Sequence, residues 1–357
     1  MSASLQISAR ETALMTAAVL YGREDIKIEQ VEVPRIAADE ILIRVRVALT
    51  CGTDLKTWKQ GFHARMIQPP ALFGHELSGI VEEVGASVRN VKRGMRVVPA
   101  NSAPCNECFY CREGQPNLCE DLLFNNGAYA EFIRIPGRIV RENTIEIPEG
   151  VSFLDAAMAE PLACVLRGIH ETGVRRRDTV AVIGCGAIGL KFIRILAARG
   201  ARVIAVAKRA SQVETAQRLG ATLAVDSSLV ENPVAAVREL TGEGRGCDAV
   251  VEAVGQPLTW EWAMQMARKG GTVQLFAGCA KGTSVRLDPW SLHYSEITLK
   301  SSFHHTPRFM REAMETIARG EIRAADFVTG ESKLEQLPAV FRDMLHRNGA
   351  LKTAIIP

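Results

Sequence analysis

The apolar pattern of the chain changes period near its middle. From Thr16 to Leu49, apolar and polar positions alternate through AAVLYG, IKIEQVEV and EILIRVRVALT, with breaks at Pro34 and Ala37-Ala38-Asp39. A period of two predicts half-buried antiparallel strands, the first starting near Met15. Residues 1–14 are expected to be a mobile extension before it. LSGIVEEVG at 77–85 predicts a further strand, and AYAEFIRIP and TIEIP resume the pattern after a Pro-, Asn- and Cys-rich loop from Pro99 to Leu118. Beyond Phe153 the period lengthens. Leu154 to Thr172 predicts a helix, and TVAVIGCGAIGLKFIRILAARGARVIAVAKR gives strand, glycine turn, helix and strand. The alternation continues through AVRELTGEG, CDAVVEAVG, TWEWAMQMARKGGTVQLFAG and ITLKSSF, so a parallel sheet flanked by helices is expected. The segment from about residue 302 to Pro357 is expected to pack back on the first domain. The expected fold is α/β: a doubly wound parallel sheet over 165–299, and a β-rich domain built from 1–164 and 300–357.

At 357 residues the chain is long enough for two cores and a cleft. A net charge of +3, with basic and acidic residues interspersed, gives no footprint for nucleic acid or an anionic membrane. The apolar run Thr179–Leu190 is cut by Lys191, short of the roughly 20 residues a membrane span needs. Arg10 and Glu11 interrupt the N-terminal stretch, which does not resemble a secretory signal. Of nine cysteines, four crowd into one segment, a pattern of metal binding and of a reducing, cytoplasmic setting.

Those four, Cys105, Cys108, Cys111 and Cys119, stand as C-x2-C-x2-C-x7-C among polar neighbours. Four thiolates from one short loop close a tetrahedral shell, as a structural zinc requires. A second constellation begins with Cys51 in CGTD and continues with Gly74-His75-Glu76. Thiolate, imidazole and carboxylate are the mixed ligands of a catalytic zinc that keeps one position open. The third protein ligand is Glu76 or Glu160, the latter in AEPLAC, and the sequence does not rank them. Asp54 is the expected partner that orients the His75 ring.

GHELSGIVEEVGASV, from Gly74 to Val88, matches the zinc-alcohol-dehydrogenase signature. With CGTD, the four-cysteine loop and EPLAC it makes nearly the whole chain resemble the medium-chain dehydrogenases, in particular the sorbitol, threonine and sugar-alcohol dehydrogenases. The resemblance implies a GroES-like catalytic domain, a zinc held by Cys51, His75 and a glutamate, and a second, structural zinc. It also implies hydride exchange between a small alcohol or carbonyl substrate and a nicotinamide, in a homodimer or homotetramer. Thr53 is placed to pass the alcohol proton outward. Where many relatives continue that relay with a histidine, this chain has Lys56, whose alternative role is a solvated surface cation. His304 and His305 are candidates to line the substrate pocket or to serve structure, and His293 lies near them in sequence. Cys164, Cys185, Cys247 and Cys279 are expected to be small buried or loop residues.

Gly184-Cys185-Gly186-Ala187-Ile188-Gly189 is a G-x-G-x-x-G turn between a predicted strand and helix. It lets a dinucleotide pyrophosphate approach the backbone at a helix N-terminus. At the end of the next strand, where an acid would accept from the adenosine ribose, stands Ala207, followed by Lys208 and Arg209. The missing carboxylate and the paired cations favour NADP(H) over NAD(H). The competing functions are a broad-specificity alcohol dehydrogenase or aldehyde or ketone reductase, and a non-catalytic NADP(H)-binding redox sensor. The intact open-site ligands argue against the sensor.

Overall fold

The computed structural model describes residues 13–63, 65–346 and 350–357, so nearly all of the expected N-terminal extension lies outside the described residues. The first part of the chain is β-rich. It runs through β1 (Leu14–Gly22), β2 (Asp25–Glu32), β3 (Ile41–Leu49), α1 (Gly52–Gln60), β4 (Ala71–Leu72), β5 (Glu76–Val84), β6 (Arg96–Pro99) and β7 (Ser102–Ala103). There follow α2 (Phe109–Arg112), β8 (Leu123–Phe124), β9 (Phe132–Ile135), α3 (Gly137–Asn143) and β10 (Thr144–Glu146). β3 shows why alternation forms a strand here: Ile41, Ile43, Val45 and Val47 are buried while Arg44 and Arg46 reach solvent. α1 went unpredicted because its apolar positions are few. It forms between Cys51 as N-cap and Gly61, which closes it in the left-handed conformation (φ 85°).

The helix expected over Leu154–Thr172 is two helices, α4 (Phe153–Ala156) and α5 (Ala159–Thr172). Ser152 caps the first by accepting the Asp155 N–H. The second carries Pro161 in its opening turn, where a missing N–H leaves no bond unmade. Then come β11 (Thr179–Ile183), α6 (Ala187–Ala198), β12 (Arg202–Ala207), α7 (Ala210–Arg218), β13 (Leu223–Asp226) and α8 (Pro233–Glu239). After them stand β14 (Cys247–Glu252), α9 (Pro257–Met266), β15 (Ala267–Leu275), α10 (Pro289–Tyr294) and β16 (Thr298–Ser301). The six strands form one parallel sheet of order β13-β12-β11-β14-β15-β16. That is the dinucleotide-binding order, and its switch point lies between β11 and β14. Helices cover both faces, so Val180 to Ile183 of β11 are all buried.

The chain closes with α11 (Pro307–Ala318), β17 (Gly330–Lys333), α12 (Leu337–His346) and β18 (Thr353–Ile356). β18 returns to the first sheet, whose order is β10-β6-β5-β3-β18-β17, and pairs antiparallel with β3, with Ala354 opposite Leu49. Val47 and Leu49 of β3, Leu166 of α5, Leu190 and Phe192 of α6 and Met310 of α11 share one buried cluster. Core therefore runs continuously from one sheet to the other, beneath the junction where the site lies.

Candidate active site at the junction of the two sheets

β3 delivers Cys51 to the N-terminus of α1, where its Sγ accepts the Thr53 N–H at 3.4 Å. The neighbouring antiparallel strand β5 brings in His75 and Glu76, the latter in register with Leu49. Gly74 turns the chain into that strand at φ +91°, and a Cβ there would lie 2.6 Å from the Tyr129 ring. Conformation and space both demand glycine. The Cys51 thiol, a His75 ring nitrogen and a Glu76 carboxylate oxygen then lie within 4.8 Å of one another.

Around this set the hydrogen bonds are fixed. His75 Nδ1 is 2.8 Å from Asp54 Oδ1, as the sequence led us to expect. With Asp54 accepting from Nδ1–H, Nε2 is left as the ligand atom. The Tyr129 hydroxyl donates to Asp54 Oδ2 at 2.7 Å and approaches the Leu49 carbonyl at 3.1 Å. Burial lowers the proton affinity of His75, but the charges of Asp54 and Cys51 outweigh it and hold its pKa well above the usual value. A thiol, an imidazole and a carboxylate at this spacing suit a cation. Glu76 is fully buried and receives the Lys352 ammonium on both oxygens, at 2.7 and 2.5 Å, while the same nitrogen donates to the Thr50 carbonyl at 2.8 Å. A carboxylate has lone pairs enough to accept these bonds and still offer one to a metal.

Glu160 stands in the first turn of α5 and groups with Cys164 and His304 rather than with Cys51, His75 and Glu76. Burial raises its pKa to about 7. Thr53 is partly buried beside Cys51, and Lys56 lies on the exposed side of α1. His305 is buried with Nε2 2.9 Å from Asn101 Oδ1, and His304 is partly buried with Nε2 2.5 Å from Ser102 Oγ. His293 is exposed on α10. Cys185 and Cys247 are buried, and Cys164 and Cys279 are partly buried.

The four-cysteine loop folds back through α2 so that all four thiols lie within 4.8 Å of one another. Backbone N–H groups point at the sulfurs: Cys108 at Cys105 Sγ (3.3 Å), Cys105 at Cys119 Sγ (3.2 Å) and Glu120 at Cys108 Sγ (3.5 Å). The N–H groups of Glu120 and Cys111 draw the Cys108 pKa down to about 6. Four converging sulfurs supplied with N–H donors fit a closed zinc site.

At the switch point, Gly184 holds φ +95°, and a Cβ on it would stand 2.5 Å from Val254 Cγ2. On Gly189 a Cβ would lie 1.8 Å from the Gly184 carbonyl oxygen. These two glycines let strand and helix pack. Gly186 differs: an added Cβ meets nothing within 4 Å, so open space faces the backbone where Ala187 and Ile188 begin α6. That cradle fits a pyrophosphate. Ala207 is buried at the end of β12, Lys208 is exposed, and Arg209 caps α7. Asp226, in register with Ala207 on β13, accepts from the N–H and hydroxyl of Ser228.

Sequence reasoning missed Lys352 and Tyr129. Each leaves a faint trace, a lysine in the apolar C-terminal run LKTAIIP and a tyrosine in GAYAEF, but neither trace names a partner.

Two family models match the chain, one for the alcohol dehydrogenase GroES-like domain over residues 37–148 and one for zinc-binding dehydrogenase over 187–319. The chain is 30% identical over 341 residues to an L-threonine 3-dehydrogenase of Bacillus velezensis, covering 92% of this chain and 95% of the relative. To a sorbitol dehydrogenase of Bacillus subtilis it is 29% identical over 351 residues, covering 96% and 97%. A zinc-binding dehydrogenase from Sinorhizobium meliloti, solved bound to NADP, superposes with a TM-score of 0.88 at 29% identity and covers 97% of this chain and 100% of its own. With the GroES-like sheet, the parallel nucleotide-binding sheet and the ligand sets between and beside them, the chain belongs to the zinc-dependent medium-chain alcohol dehydrogenase family.

Proposed function

We propose that the protein transfers a hydride between a secondary alcohol, of the polyol, sugar-alcohol or amino-alcohol class, and a nicotinamide cofactor, with NADP(H) preferred. The observation that carries the reading is the convergence of Cys51, His75 and Glu76 at the junction of the two sheets. The relatives named as sorbitol and threonine dehydrogenases support the substrate class. Residues 1–164 with 300–357 form the catalytic domain and 165–299 the nucleotide-binding domain, the boundaries falling inside α5 and β16. Each chain holds two zinc ions, one in the Cys51, His75 and Glu76 set and one in the four-cysteine loop. The protein works as a homodimer or homotetramer in a reducing, cytoplasmic setting.

The zinc would polarise the substrate oxygen, and the nicotinamide would exchange the hydride. The chain's own residues prepare for this. Asp54, steadied by Tyr129, fixes the His75 ring, and Lys352 fixes Glu76 so that the ligand set is formed in advance. Glu160 stands beside the set as the other glutamate that would hold the metal, directly or through water. Thr53 takes the alcohol proton through its hydroxyl, and Lys56 on the next turn of α1 passes it to solvent. Gly186, Ala187 and Ile188 present N–H groups to the pyrophosphate, with Gly184 and Gly189 holding the turn. Lys208 and Arg209 meet the 2′-phosphate where Ala207 leaves room.

The test is metal analysis joined to a panel of polyols, amino alcohols and simple alcohols, scored by nicotinamide absorbance with each cofactor. Two zincs per chain and turnover of a secondary alcohol are expected. Cys51→Ser should abolish turnover while leaving dinucleotide binding intact. Full activity in Cys51→Ser would overturn the assignment.

A further inference from the structure

A guanidinium is seldom taken out of water without a carboxylate to meet it, because the desolvation of the charge is costly. Arg167, in the middle of α5, is only 9% exposed, and the closest carboxylate to it among the described residues, Glu171 on the next turn, stands 3.8 Å away. Its donors are directed elsewhere. Nη1 donates to the carbonyls of Phe303 and His304 at 2.5 and 2.9 Å. With its amide oxygen turned toward α5, Asn117 accepts from the same guanidinium at 3.1 Å. Asn117 is buried inside the four-cysteine loop, between Cys111 and Cys119. One buried cation therefore joins α5, the cysteine loop and the segment between β16 and α11.

That last segment needs to be held. His304 sits at φ +68°, a conformation that a residue bearing a side chain seldom adopts. Its Nε2 is 2.5 Å from the Ser102 hydroxyl and its ring packs on Phe124, and β7 and β8, which carry these two residues, pair to close the cysteine loop. His305 Nε2 is 2.9 Å from Asn101 Oδ1, just before β7. Backbone strain persists only where the surroundings over-determine it, and these contacts do so. They present His304 at the site itself, with a ring nitrogen within 4.8 Å of a Glu160 carboxylate oxygen.

We propose that Arg167 is a positioning residue of the substrate pocket, tying the wall made by Phe303 and His304 to Asn117 of the cysteine loop and so setting how tightly the alcohol is held. The proposal rests on the dehydrogenase reading above. Arg167 acts through His304 and takes no part in hydride transfer, so its loss weakens substrate binding and spares the chemical step. The four-cysteine loop is then part of the frame of the pocket as well as a staple of its own fold.

Arg167→Met keeps an apolar stem and removes the guanidinium. The KM for the alcohol should rise about ten-fold or more, the worth of one charge-assisted bond, with kcat and the cofactor KM within about three-fold of the wild type. Arg167→Lys, which keeps the charge but not the planar fork, should fall between the two. Asn117→Ala should move the alcohol KM the same way by less, since the bonds from Arg167 to the carbonyls remain. A second measurement needs no turnover. Diethyl pyrocarbonate should modify His304 several-fold faster in Arg167→Met than in the wild type, as read by mass spectrometry against the exposed His293. A wild type that oxidises no alcohol would therefore refute the dehydrogenase reading and leave the reactivity comparison to decide whether Arg167 holds this wall. If Arg167→Met fails to fold, Arg167→Lys and Asn117→Ala carry both measurements. Equal His304 reactivity in wild type and variants, or a fall in kcat with the alcohol KM unchanged, would overturn the proposal.

Discussion

Replacing Lys352 with methionine keeps its apolar stem and removes only the ammonium. Glu76 is then left fully buried without its partner, and the Thr50 carbonyl loses a donor as well. Breaking a buried pair from one side costs about 3 to 5 kcal/mol, much of it the desolvation of the charge left behind. Since whole proteins are stable by only about 5 to 15 kcal/mol, the loss should be plain in a denaturant titration. Glu76→Gln leaves Lys352 as the stranded charge, 4% exposed, and should cost a comparable amount. The double variant Lys352→Met/Glu76→Gln strands neither. It should therefore recover much of the loss, with a coupling of at least about 1 kcal/mol between the two sites. The assay is the guanidinium midpoint of chelator-treated protein for all four members of the cycle, with metal content recorded before chelation. Additive single losses, within about 0.5 kcal/mol, would refute the reasoning and mean the pair is not a closed electrostatic unit.

Lys208→Ala/Arg209→Ala should remove most of a preference for NADP(H) that is roughly ten-fold or more, since one charge-assisted contact is worth about 1.5 to 3 kcal/mol. Ala207→Asp should reverse it, and kcat/KM ratios for the two cofactors, compared at low and high salt, decide the matter. Lys191, fully buried on α6, has its ammonium 3.2 Å from the Ala187 carbonyl and 4.7 Å over the Phe327 ring, and burial lowers its pKa to about 7. Between that value and the ordinary 10.5 the unfolded chain binds the extra proton, so this residue makes stability rise with pH across the interval. Lys191→Met should gain about 1 to 4 kcal/mol near pH 6 and flatten the rise, and a lower melting temperature in the variant at that pH would contradict the account.

The chemistry most legible in the sequence was the chemistry made locally. The four thiols of the cysteine loop fall within one short segment, and the G-x-G-x-x-G turn lies between its own strand and helix, so spacing alone implied their geometry. Cys51 and His75 come from adjacent antiparallel strands and were named by a motif. The pairing of Lys352 with Glu76 joins residues 276 positions apart, and no periodicity encodes it. The two candidate glutamates were legible as candidates but not as different in kind. Their difference lies in what surrounds them: an ammonium at Glu76, and a thiol and imidazoles around Glu160. α1 escaped prediction because its cap is a cysteine and few of its side chains are buried, so neither a usual cap nor an apolar stripe announced it.

The pairing of β18 with β3 also sets an order of events during synthesis. The strand that carries Cys51 into place leaves the ribosome early, but its neighbour, along with Lys352, is made some 300 residues later. By then every strand of the nucleotide-binding sheet has already emerged. That sheet, with its short sequential crossovers, can form while the chain is still growing, whereas β3, already flanked by β5 and β9, waits with its Ala48–Leu49 end unpaired on one side. Glu76 is buried beside its ammonium only once the final strand docks. A nascent or truncated chain ending before residue 352 therefore presents the cysteine and histidine without the charge that steadies their glutamate.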